Sequence, residues 1–171
     1  MKRITVTATF ILFVGCIALA NWALETWGIV SIGFGLAAPA GVYFAGATFG
    51  VRDALHDAVG RWPVMVAILV GGGVSLWTAP GFAVASTAAF LISETADLAV
   101  YDPLRKSSWP LAVVLSNIVG SIVDSVIFLT LAFGWVAAQS GWFDLTVGKV
   151  YLVAPSVLLV GAIRRAVSNN A

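Results

Sequence analysis

Six runs of about twenty mostly apolar residues fill nearly all of this chain, and about twenty is the length an α-helix needs to cross a bilayer. They cover residues 4–22, 37–53, 62–78, 81–101, 110–135 and 147–163. Of the 171 residues, 60% are hydrophobic and 10% charged, against roughly 45–50% and about 25% in a soluble domain. So much apolar surface needs lipid around it. The expected fold class is all-α: a polytopic integral membrane protein of about six transmembrane helices, forming a single transmembrane domain over residues 1–171. Gly35, Pro39, Gly41, Gly46 and Gly50 crowd the second run, and residues 28–38 before it read as a re-entrant or loop segment.

Basic residues set the orientation, because cytoplasmic loops carry the excess of Lys and Arg. With the N-terminus in the cytoplasm, Lys2, Arg3, Arg52, Arg61, Arg105, Lys106, Arg164 and Arg165 all fall inside, and only Lys149 falls outside. Both termini are therefore expected in the cytoplasm, and the protein in the inner (cytoplasmic) membrane. A rival reading takes Lys2-Arg3, the first run and Ala18-Leu19-Ala20 as a signal peptide with its cleavage site. The retained helix is favoured, since it completes the charge pattern. Asp144 and Glu25 are assigned to outside loops, His56 to a cytoplasmic helix end and Asp102 to a turn.

Three carboxylates interrupt the apolar runs: Glu94 and Asp97 in the fourth, Asp124 in the fifth. An ionisable side chain in lipid costs several kcal/mol, and it usually faces a polar cavity or a pathway. Ser86, Phe90, Ser93, Glu94, Asp97 and Tyr101 recur at spacings of three and four, and so share one helical face. Asn117, Ser121, Asp124 and Phe128 do the same on the next run. The two stripes are expected to meet at mid-depth. Small residues such as those of Gly46-x-x-x-Gly50 and Gly71-Gly72-Gly73 read as packing devices, and faces of this kind permit a homodimer.

Other chemistries find little support. A net charge of +1 gives no basic field for nucleic acid. One cysteine, Cys16, and one histidine, His56, leave no disulfide and argue against a Cys- or His-rich metal centre. There is no Walker motif, no G-x-S-x-G and no H-E-x-x-H, so neither an enzyme nor a cofactor is indicated.

The stripes resemble the queuosine-precursor transporter family, also called the VUT family. The matching residues are Ala85-Ser86, Ala89-Phe90, Ile92-Ser93-Glu94 and Asp97, then Ser116-Asn117, Asp124-Ser125, Phe128 and Ala132-Phe133. Thr48-Phe49 followed by Asp53 is similar to the family's T-F-x-x-x-D element, and Asn21 to its early Asn. The resemblance covers about residues 36 to 135. It implies import of a 7-deazaguanine, 7-cyano- or 7-aminomethyl-7-deazaguanine, with a nucleobase-like small molecule and the lipid bilayer as partners. The substrate-binding candidates are Glu94, Asp97, Asn117, Asp124, Ser93, Ser121, Phe90, Phe128 and Asp53. A carboxylate, Glu94 or Asp97, would accept the paired N–H groups of the base, Phe90 or Phe128 would stack on it, and Asp124 would suit a cationic aminomethyl group. A buried carboxylate could also carry a proton and couple transport to a proton gradient. The alternative reading is a substrate-binding membrane subunit of an energy-coupling vitamin or nucleobase transporter, although the first run lacks the small-residue pattern such subunits use to dock a partner.

Overall fold

The structure, a computed structural model, describes residues 2–168, and the side chains of residues 6–56 and 58–151. Its elements run α1 (Lys2–Trp27), β1 (Ile29–Gly33), β2 (Leu36–Pro39), α2 (Val42–Val59), α3 (Arg61–Thr78), α4 (Pro80–Leu104), α5 (Trp109–Phe133) and α6 (Trp135–Ser168). Pro80 and Pro110 stand in the first turns of α4 and α5, where a missing backbone N–H removes no helical bond. Short connections turn each helix back beside the last.

The fold is all-α and polytopic, as the sequence implies. Residues 6–27 of α1, and α3, α4 and α5, are long and apolar enough to cross a bilayer. Large apolar side chains such as Ile11, Leu69 and Ile92 point outward, as lipid-facing residues do. Tryptophans mark both rims of the bundle. Trp27, Trp77 and Trp135 are exposed at one end and Trp62 at the other. Trp62 and Trp77 share α3, about 22 Å apart along its axis by helical rise, which fits aromatic belts at the two interfaces of a membrane.

Three expectations are corrected. The segment before α2 is a β-hairpin, with Ile29 opposite Pro39 and Ser31 opposite Ala37. Its turn residues Phe34 and Gly35 both take positive φ, 54° and 76°, the pattern of a tight hairpin turn. The hairpin lies against α6, where the Ala37 backbone N–H donates to Asp144 Oδ2 at 3.1 Å. Asp144 therefore belongs to a helix that already begins at Trp135, and no loop separates α5 from the sixth span. The cations Arg52 and Lys149, assigned to opposite membrane surfaces by charge counting, both lie inside the bundle. His56 lies in the last turn of α2, at the helix end expected for it, and is buried against the ring of Tyr101. The basic residues at both ends and most of the sixth expected span fall outside the described side chains.

The most extensive helix pair is α4 with α5. It closes tightly at Gly120, where an added Cβ would stand 3.2 Å from the Cβ of Asp97. That approach brings the two polar stripes into register.

Candidate functional site

Two polar features occupy the interior, one above the other along the bundle axis. The one nearer the hairpin is a cavity in which the centres of water-sized molecules can range over about 50 Å³. Phe90 of α4 and Phe128 of α5 give it aromatic walls, and Pro39 and Gly41 close it beneath the hairpin. Its charged wall is a pair: the Lys149 ammonium of α6 against the Asp124 carboxylate of α5. Lys149 also donates to Ser125 Oγ at 3.2 Å. Both charges are over nine-tenths buried, and each neutralises the other where water is scarce. Asn21, Thr48 and Ser86 add polar groups to the lining. Asn21 is held by a hydrogen bond from its Nδ2 to Ser75 Oγ at 2.9 Å.

About one turn further along α2 and α4 lies a fully buried charge cluster. Arg52 of α2 has no exposed surface. Its Nη1 pairs with Asp97, and its Nε stands 3.3 Å from Glu94 Oε2 and 3.2 Å from Asp53 Oδ1. Asn117 of α5 joins the cluster by donating Nδ2 to Asp53 Oδ2 at 3.0 Å and to the Val113 carbonyl at 2.7 Å. Ser93 of α4 and Ser121 of α5 are buried alongside, and Ser93 donates back to the Phe90 carbonyl at 3.0 Å.

A line of rings joins the two features. Phe90, on the cavity wall, stacks on Phe49 with centroids 5.7 Å apart and planes 19° from parallel. Phe49 in turn carries the Arg52 guanidinium 5.8 Å from its own centroid. The ring of Phe13 on α1 meets Phe90 edge-on, 5.9 Å away.

The expected site residues thus divide. Phe90, Phe128 and Asp124 line the cavity. Glu94, Asp97, Asp53 and Asn117 form the cluster behind it, with Ser93 and Ser121 buried alongside. The helix beginning after Pro39 does border the cavity. The residues missed from sequence are the two cations. Each had left a signal: Arg52 lies inside the second apolar run, and Lys149 was the single basic residue on the wrong side of the charge pattern. A cation within an apolar run implies a buried anion to match it.

Residues 73–162 match the model of a protein family described as "Putative vitamin uptake transporter". The chain belongs to this family. The matched stretch takes in α4 and α5 whole, and hence Glu94, Asp97, Asn117, Asp124 and both cavity phenylalanines. Neither the curated proteins nor the solved structures returned a match. As a member of the vitamin uptake transporter family, the protein is a multi-pass membrane transporter that handles a small molecule.

Proposed function

We propose that this transporter imports a 7-deazaguanine queuosine precursor across the inner membrane, and that the cavity between Phe90 and Phe128 receives the base. The observation that carries this reading is the Asp124–Lys149 pair on the cavity wall. The pairing edge of a guanine offers a carbonyl acceptor beside two N–H donors. An ammonium next to a carboxylate offers the complement: a donor beside two acceptor oxygens. Charge-assisted hydrogen bonds of this kind are the stronger ones. The phenylalanines supply flat apolar faces for the ring system, and stacking is worth about 1–3 kcal/mol per base in nucleic-acid sites. Asp124 thereby takes the role that the sequence suggested for Glu94 or Asp97, whose side chains are turned to Arg52.

Lys149 also bears on the choice of cargo. The 7-substituent of a deazaguanine projects beside the carbonyl that Lys149 would contact. A cationic aminomethyl group there meets a like charge, so the neutral 7-cyano precursor is the better fit.

The test is rescue of tRNA modification. The chain is expressed in bacteria that neither synthesise the cyano precursor nor import it at nanomolar supply. Queuosine in tRNA is then measured by mass spectrometry, with Asp124→Asn beside the wild type. Rescue by the wild type, lost in the variant, supports both cargo and site. Absence of rescue by a chain shown to be inserted in the membrane contradicts the cargo.

A further inference from the structure

We propose that the Arg52 cluster is a proton-binding site, separate from the cavity, with Glu94 as the group that takes up and releases the proton during transport. The proposal rests on the chain being a transporter and not on which small molecule it carries.

Charge balance is the first ground. Glu94 and Asp97 share one guanidinium, and that guanidinium also faces Asp53. Even with Asp53 left aside, two carboxylates and one cation leave a negative charge in excess. In a buried site that excess is far costlier than a neutral carboxylic acid, so one carboxyl is driven to hold a proton. The charged groups around Glu94 are Arg52 and Asp53 from α2 and Asp97 from its own helix; Asn117 of α5 reaches the cluster through Asp53. His56 and Tyr101 pair ring to ring further along α2 and α4, and Lys149 is engaged by Asp124.

Geometry distinguishes the two carboxylates. Asp97 is in close contact with Arg52 Nη1, whereas Glu94 stands off at 3.5 Å from Nη1 and 3.3 Å from Nε. The more loosely held carboxylate is the one that gains a proton at least cost. A second observation concerns the hydrogen-bonding capacity of the cluster. Asn117 is 2% exposed, and its Oδ1 has no hydrogen-bond donor among the described residues. Its amide cannot simply be reversed, because Nδ2 already serves two acceptors. The open acceptor sits on the amide that holds Asp53, so the cluster has capacity for one more donor.

The ring line gives this site a physical link to the cavity. A molecule seated against Phe90 bears on Phe49, which lies between Phe90 and Arg52. Movement of Phe49 shifts the guanidinium between its carboxylates, and so changes how well Glu94 is compensated. Phe49 acts here as a positioning residue, with no contact to the cavity contents of its own.

Two measurements on the full chain test the proposal. Infrared spectra of the purified, lipid-reconstituted protein report protonated carboxyl groups directly, without any cargo. A buried carboxylic-acid band is expected in the wild type and in Phe49→Leu, and it should be missing in Glu94→Gln. The same band persisting at full strength in Glu94→Gln would overturn the assignment. In proteoliposomes supplied with 7-cyano-7-deazaguanine, an inward proton gradient should drive accumulation by the wild type. Glu94→Gln should retain exchange of internal for external cargo but lose gradient-driven accumulation, and Phe49→Leu should weaken the dependence on the gradient. Wild-type accumulation that ignores a protonophore would also overturn it. If that cargo is not transported at all, the infrared result still decides the proton site, and the cargo reading alone fails.

Discussion

Lys149 of α6 and Asp124 of α5 meet inside the bundle as an ion pair that forms one wall of the cavity. Removing one partner leaves the other charged and buried, which typically costs about 3–5 kcal/mol. Lys149→Met should therefore lower the thermal stability of the detergent-solubilised protein markedly. The double variant Lys149→Met with Asp124→Asn should recover much of that loss while remaining unable to bind cargo. Unfolding curves and binding assays on the three proteins check this.

Arg52 holds α2 to α4 through Asp97 and Glu94. Arg52→Gln should be among the most destabilising single changes, again by about 3–5 kcal/mol for a broken buried pair. Arg52→Lys should fall between, since an ammonium lacks the planar fork that serves several carboxylates at once. Expression level and unfolding temperature give the ranking.

Gly120 sets the approach of α5 to α4. With Asp97 Cβ 3.2 Å from where a new Cβ would stand, Gly120→Ala forces the neighbouring side chain to give way. Gly120→Val must separate the helices, at a cost of about 1–3 kcal/mol for overpacking. The valine variant should unfold at lower temperature than the alanine variant, and both below wild type.

Much of this architecture was legible in the sequence. The positions of α3, α4 and α5 follow from apolar length alone, and the i, i+3, i+4 spacing placed Glu94, Asp97, Asn117 and Asp124 on facing stripes. The division of those residues into a cavity and a separate cluster was not legible. It depends on which helix brings a cation to which carboxylate, and periodicity within one helix carries no such information. Counting positive charges misassigned Arg52 and Lys149 for the same reason: the rule treats a basic residue as a loop marker, and a buried ion pair is its exception. The hairpin escaped notice because two short strands joined by Phe34-Gly35 add no apolar length of their own.

Phe90 bears on both features, as cavity wall and as the ring stacked on Phe49. Phe90→Ala should weaken binding of the base by about 5- to 150-fold, the range that corresponds to about 1–3 kcal/mol of stacking. Phe128→Ala should weaken binding without altering the response to a proton gradient, since Phe128 is not part of the ring line. Equilibrium binding alongside gradient-driven uptake separates the two effects.

The most direct test of the central claim, that Asp124 and Lys149 read the edge of a guanine-like base, is calorimetric binding of 7-cyano-7-deazaguanine and of 7-deazaadenine to the purified protein. The adenine analogue lacks the two adjacent N–H donors and the carbonyl. The wild type is predicted to favour the deazaguanine by about 5- to 150-fold, the value of one well-formed two-point contact to a base edge, and Asp124→Asn is predicted to lose that preference. Equal binding of the two compounds by the wild type, or an undiminished preference in Asp124→Asn, would contradict the account.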